Sequence, residues 1–167
     1  MSAYDTVFGE AFAEIVPRFD TLDEVLDEIC EWLLMDFDLY FVGIHQPTGH
    51  HNRIQMMAGS PWGAFDIIRR ASVGLSSDSI ASVVTVAAAR GEVYLIDDCM
   101  NDPLFLPNPI LPMTRSQLAI PLMDGATCLG VFDMQSTAVA AFHTRDMSWI
   151  PALSQAVTDV IVNYQNP

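Results

Sequence analysis

The chain has 167 residues, 51% of them apolar and 17% charged, a composition that builds one cored globular domain and excludes a disordered segment. Its net charge is −14, from 7 cations against 21 anions, and every one of the seven cations is arginine. That balance argues against non-specific binding to nucleic acid or an anionic membrane, and the absence of lysine excludes Schiff-base chemistry and a lysine-bearing phosphate loop.

In chain order, Asp5–Val16 places Phe8, Phe12 and Ile15 on one stripe of a helix that Pro17 ends. Thr21-Leu22-Asp23-Glu24 reads as a capping box, a hydroxyl at the cap with a carboxylate three residues later. Leu22, Val25, Leu26, Ile29 and Leu33 follow at helical spacing. Asp23, Glu24, Asp27, Glu28 and Glu31 occupy the opposite face, which is expected to be solvated. Leu39–Gln46 and Arg53–Ser60 are expected strands joined by a polar loop with Pro47, Thr48 and Gly49. Pro61–Ala71 fits either a helical turn or a covering loop. Ser79–Arg90 is an alanine-rich helix closed by Gly91, and Val93–Asp97 is a strand. Asp98–Pro112 holds prolines at 103, 107, 109 and 112, so it is a long loop, and its Leu104, Phe105, Leu106, Ile110 and Leu111 are expected to cover something apolar.

Arg115–Ser136 is the strongest local signal, two apolar runs around Asp124-Gly125, a dipeptide suited to the positive φ of a tight hairpin. A last helix is expected to begin within Phe142–Asp146, capped by Thr144, and to reach Tyr164. Met147, Ile150, Leu153, Val157, Val160, Ile161 and Tyr164 trace its buried side, with either a kink or an irregular first turn at Pro151. The order describes an α+β domain, terminal helices on one face of an antiparallel sheet.

The longest uncharged apolar runs, such as Ser82–Ala89, fall far short of the ~20 residues that span a bilayer. Asp5 and Glu10 stand where a signal peptide would be basic or apolar, so a cytoplasmic protein, or one part of a larger one, is expected. Cys30, Cys99 and Cys128 are odd in number and widely spaced, which points to reduced thiols and not to a disulfide framework or a zinc site.

Six segments in order resemble the GAF domain family: Gly91–Asp97, Asn101-Asp102-Pro103, Arg115-Ser116, Ile120-Pro121-Leu122, Gly130–Ser136 and Phe142–Asp146. The resemblance spans residues 20–164 of a single domain covering 1–167, with 1–19 as an N-terminal helical extension. It implies a GAF/PAS-like antiparallel sheet with the N- and C-terminal helices on one face and a helix plus long loop over the other. It further implies a non-enzymatic sensory domain of bacterial signalling, including two-component, proteins. Such a domain holds a small ligand under the 98–112 loop, dimerises through its terminal helices, and reports to a kinase or other output domain. On that basis the pocket is assigned to Trp62, Phe65, Ile68, Ser79, Ile80, Val83, Tyr94, Phe105, Met113 and Arg115. The competing reading is a ligand-free dimerisation module whose pocket is filled by its own side chains.

One GAF subfamily reduces free methionine-R-sulfoxide with paired cysteines and carboxylates near the hairpin. This chain has Gln117 where that resemblance calls for a glutamate and Gln135 where it calls for a second aspartate. Ser72–Ser82 holds no cysteine, and Cys99 alone cannot form the disulfide intermediate. No catalytic residue is therefore assigned. Asp97, Asp98, Cys99 and Asp102 are the densest set of potential metal ligands, but aspartates beside Asp-Pro also cap turns, and that reading is preferred. His45, His50, His51 and His143 are read as surface loop or strand-end residues, so neither a metal nor a cofactor is expected. The cyclic-nucleotide motif of the family needs a lysine that is absent. A small anion held by the first amides of the Ser79 helix, with Arg69 or Arg115, is an open alternative; Arg115 otherwise pairs with Asp97, Asp98 or Asp133. Trp62, Phe65, Met56, Met57, Phe105 and Met113 form an apolar set read first as core and second as a ligand box.

Overall fold

Short polar side chains decide where the helices start. The computed structural model describes residues 2–48, 53–61, 72–74, 82–143 and 146–165. Helix α1 (Ala3–Ile15) is capped by Ser2 with Asp5, and α2 (Leu22–Asp36) by Thr21 with Glu24. In the second box Thr21 Oγ1 accepts from the Glu24 N–H at 3.4 Å and the Glu24 carboxylate accepts from the Thr21 N–H at 3.3 Å. Each such cap stabilises its helix by about 1 kcal/mol. A 3-10 turn at Val16–Arg18, carrying Pro17, separates the two helices.

The middle helix, α3 (Val83–Arg90), begins later than the sequence pattern suggests. Ser82 is extended (φ −112°, ψ 162°); its Oγ accepts from Thr85 N–H at 3.3 Å, and Thr85 Oγ1 accepts from Ser82 N–H at 2.9 Å. The two hydroxyls offer the backbone an alternative to helical bonding, so Ser82 is a cap and not a helical residue. Residues 79–81 lie outside the described residues. Gly91 closes α3 at φ +65°, as expected.

The last helix, α4 (Ile150–Gln165), is entered differently from the sequence expectation. Thr144 lies outside the described residues. Phe142 sits buried in a turn, and Asp146 caps a 3-10 turn at Met147–Trp149 by accepting from Ser148 N–H at 3.0 Å. Pro151 then falls in the first turn of α4, so the irregular entry, not a kink, accommodates it.

The sheet holds β1 (Phe41–Thr48), β2 (Arg53–Ser60), β3 (Ser72–Gly74), β4 (Tyr94–Ile96), β5 (Ser116–Asp124) and β6 (Thr127–Ser136). Their order is β3-β2-β1-β6-β5-β4, and every neighbouring pair is antiparallel. Asp124 pairs with Thr127, so the hairpin loop is Gly125-Ala126 and only Gly125 takes positive φ (58°). Asp124 stays in the strand, because a turn whose first loop residue alone is left-handed needs one glycine and not an Asp-Gly pair.

Strand alternation splits the interior into two layers. Leu118, Ile120, Phe132 and Met134 face α1, α2 and α4, and these four are fully buried. Ile54, Ala119 and Val131 face the other way, against Val83 and Ala87 of α3. The arrangement expected from the sequence is therefore present, terminal helices on one face and α3 with the long loop on the other. One expectation fails. Asp27 is buried and Glu31 is partly so, and among the described residues β3 pairs with Arg53–Gln55 of β2. The Gly59 N–H on the other half of β2 donates to Asp27 Oδ1 at 3.1 Å, and Ser60 Oγ donates to the Glu31 carboxylate. The acidic face of α2 is thus partly consumed in bonding to β2.

Candidate functional site

Polar residues at alternate positions of β5 and β6 converge on the α3 side of the sheet. Gln117 pairs with Gln135, and Asp133 lies between Ala119 of β5 and Gly43 of β1. Gly43 is required there by the close approach of its neighbours, since a Cβ would meet the Phe41 ring at 2.8 Å. Above these residues lies a cavity of about 260 Å³. Its floor is polar, made of His45, Gln117, Asp133 and Gln135, and its walls are Ile54, Val84, Leu106, Pro107 and Pro109. A second hollow of about 470 Å³ is lined by Cys99, Phe105 and Leu111, with Pro107-Asn108-Pro109 as a wall common to both.

Asp133 is 5% exposed, and each of its oxygens accepts an amide N–H: Gln117 Nε2 donates to Oδ1 at 2.7 Å and Gln135 Nε2 to Oδ2 at 2.9 Å. Gln135 is held in turn by Thr114, whose Oγ1 donates to Gln135 Oε1 at 2.6 Å and lies 3.1 Å from the Leu111 carbonyl. A buried carboxylate without such donors would cost several kcal/mol. His45 Nε2 is 3.5 Å from Asp133 Oδ2, too far for a good hydrogen bond, and this buried nitrogen has no hydrogen-bond partner.

Cys99 is buried beside this network. Burial, then the fields of Asp133, Asp102 and Asp98, push its thiol up to about 12, so it is protonated at neutral pH. Cys30 is raised as well, by burial first and then by Asp27 and Glu31. At pH 8, iodoacetamide should leave Cys99 and Cys30 unmodified in the native protein and alkylate both in urea, as read by intact mass and peptide mapping. Rapid native alkylation of Cys99 would contradict the burial and the carboxylate field around it.

The residues assigned from the sequence separate into groups. Trp62, Phe65, Ile68, Ser79 and Ile80 lie outside the described residues, as do Arg69, His50 and His51. Val83 is 1% exposed and packs into the apolar cluster under α3; one helical step on, Val84 reaches the cavity in its place. Tyr94 is turned outward, its hydroxyl accepting from Arg90 Nη1 at 2.9 Å. Phe105 lines the second hollow, whereas Met113 is 61% exposed and lines neither. Arg115 lines neither as well and pairs with Asp98 at 3.5 Å, the structural role considered for it. Met56 is core, 3% exposed against Phe41 and Leu111.

The sequence assignment missed His45, Gln117, Asp133 and Gln135. The signal was present as polar residues two apart inside apolar strands, a pattern that places them together on one face. The aspartate cluster of the 98–112 loop is turn structure. Asp98 accepts from Asn101 Nδ2 at 2.6 Å and from Met100 N–H at 3.2 Å, and Asp102 accepts from Leu104 N–H at 2.8 Å. The Asn101 bond, then the Met100 bond and Arg115, hold the Asp98 carboxyl below the usual carboxylate range. Among the described residues no group of three His, Cys, Asp or Glu side chains is placed to hold a metal ion. The anion alternative rests on the amides of residues 79–81 and on Arg69, which lie outside the described residues. Val83 N–H is bound to the Leu104 carbonyl at 3.2 Å, the Ser82 and Thr85 N–H groups are spent in the cap, and the floor beneath carries a carboxylate.

Residues 20–162 match the family model described as GAF domain, and the chain belongs to that family. No curated protein matches the chain. Among solved structures it is similar to the GAF domain of an Acinetobacter phosphoenolpyruvate-protein phosphotransferase, at 17% identity over 99% of this chain and 97% of that one, TM-score 0.77. The corresponding domain from Coxiella burnetii gives 13% identity, 98% and 97% coverage, and a TM-score of 0.78. A free methionine-R-sulfoxide reductase from Neisseria meningitidis, in complex with its substrate, gives 16% identity, 99% and 92% coverage, and a TM-score of 0.72. At these identities the likeness establishes the fold alone.

Proposed function

We propose that this chain is a non-enzymatic sensory or regulatory GAF domain that binds a small organic ligand in the cavity over Asp133 and passes the change to its terminal helices. The observation that carries this reading is the cavity itself, an apolar-walled space of about 260 Å³ with a few convergent polar groups on its floor. Leu106 and Met113, whose inward packing would have filled such a space, are 38% and 61% exposed. The volume lies just below the range of drug-sized sites and suits a compact metabolite better than a nucleotide or tetrapyrrole. The route outward is short. Asp133 faces the cavity, and its neighbours Phe132 and Met134 face the helical layer, so a ligand that favours one seating of β6 biases the helices behind it. Val7 (47% exposed) and Met35 (71% exposed) leave apolar groups on the helical side, where a second copy or an output domain would read the change.

Two features favour binding over catalysis. The thiol nearest the floor is held protonated, and the residues flanking Asp133 are amides that donate to it and do not ionise as an acid or base at neutral pH. Native mass spectrometry of the protein as purified tests the reading, with a bound small molecule as the expected result. In parallel, free methionine-R-sulfoxide with a thiol reductant should give no turnover above a Cys99→Ser control. Turnover lost in that control would overturn the non-enzymatic reading.

A further inference from the structure

The chemistry of the floor narrows the ligand. Asp133 offers roughly four acceptor sites on its two oxygens, and the glutamines fill two of them. Oδ2 faces His45 Nε2 across 3.5 Å, and that nitrogen is buried with no hydrogen-bond partner. A group with several N–H donors can occupy the acceptor sites that remain on the carboxylate. Among the described residues that line the cavity no arginine is present, and Arg115 is tied to Asp98 outside it. The whole chain, at −14, draws cations toward it and repels anions. The walls above the floor are mostly apolar, Ile54, Val84, Leu106, Pro107 and Pro109 beside Ser82 and Asn108, which suits an apolar body of a few carbon atoms.

We propose that the cavity selects a small organic ammonium, its charged head at Asp133 and its apolar body under the Pro107–Pro109 segment. This rests on the ligand-binding reading above and goes beyond it by fixing the sign of the ligand's charge. An ammonium supplies three N–H donors and a compensating charge to a carboxylate already removed from water. A neutral alcohol supplies one donor and no charge, and a carboxylate places a second anion against Asp133.

Benzylamine, benzyl alcohol and benzoate test this as three probes of nearly one shape and different head charge, titrated at pH 7.5 into the full chain and followed by backbone amide NMR. Benzylamine should shift the amides of β5, β6, Leu106 and Asn108 and bind at least tenfold tighter than benzyl alcohol, while benzoate shifts none of them. Asp133→Asn should reduce benzylamine affinity at least tenfold and benzyl alcohol affinity by much less. The Asp133→Asn variant keeps the network, because Gln135 can turn its amide over and donate to Thr114, which then donates to the Leu111 carbonyl 3.1 Å away. Equal binding of amine and alcohol, or preferential binding of benzoate, would overturn the ammonium assignment and leave the ligand-binding reading intact. If no probe shifts these amides, the molecule seen by native mass spectrometry decides. A neutral or anionic species there overturns the assignment alone, and an empty protein overturns both.

Discussion

Phe132→Ala should destabilise the domain by about 3–5 kcal/mol, enough to remove roughly a fifth or more of the stability ordinary for a domain of this size. Phe132 has no exposed surface, pairs with Ile44 on one side and Ile120 on the other, and packs into the layer between the sheet and the terminal helices. Truncation leaves a cavity walled by three elements that cannot all close in, since α1, α2 and α4 are held by one another as well as by the sheet. Asp133→Asn, one residue along, should cost no more than about 1 kcal/mol, because its hydrogen-bond partners can rearrange. Urea denaturation reads both, the midpoint falling steeply for Phe132→Ala with its slope unchanged. Equal losses at the two positions would mean that β6 does not separate a structural layer from a binding layer.

That separation is what the sequence made legible. The Thr21 capping box, the strand pattern of β2, the glycine after α3 and the hairpin all depend on neighbours within a few residues, and those features stand where the sequence placed them or within a few positions. The departures arise from partners distant in the chain. Asp27 belongs in water when its helix alone is considered; its partner is the Gly59 amide of β2, 32 residues later. The resemblance assigns Val83 to the pocket, whereas Val83 packs into the apolar cluster and Val84 lines the cavity. The charge of Arg115 draws it to the site on paper, yet Asp98 is its partner. For Gln117 and Gln135 the residue types and their departure from the reductase pattern are plain in the sequence. Their joint hold on Asp133 follows only from the register that pairs them across β5 and β6.

Gln117→Glu tests that hold directly, and its effect should depend strongly on pH. The substitution replaces an N–H donor 2.7 Å from Asp133 Oδ1 with a second carboxylate, so the buried pair must share a proton or repel. Holding that proton raises the pair's folded-state value above the unfolded carboxylate value of about 4.3. A raised value makes the native state the stronger proton binder, so the variant is close to wild type below about pH 4 and loses stability as pH rises above it. At pH 7 the loss should reach about 2–4 kcal/mol, bounded by the cost of keeping one carboxyl protonated there. Gln117→Leu removes the donor without adding charge, and its cost of about 1–3 kcal/mol should be the same at about pH 4.5 and pH 7. Urea midpoints of the two variants and wild type at both pH values separate these cases. A Gln117→Glu variant equally stable at both would mean that the cavity floor is open enough to water for two carboxylates to ionise side by side, and then the amides would not be what keeps Asp133 alone as the acceptor there. A pH-dependent loss confined to Gln117→Glu identifies the glutamines as the residues that let a single buried carboxylate face the cavity at neutral pH, ready for a partner that brings its own donors.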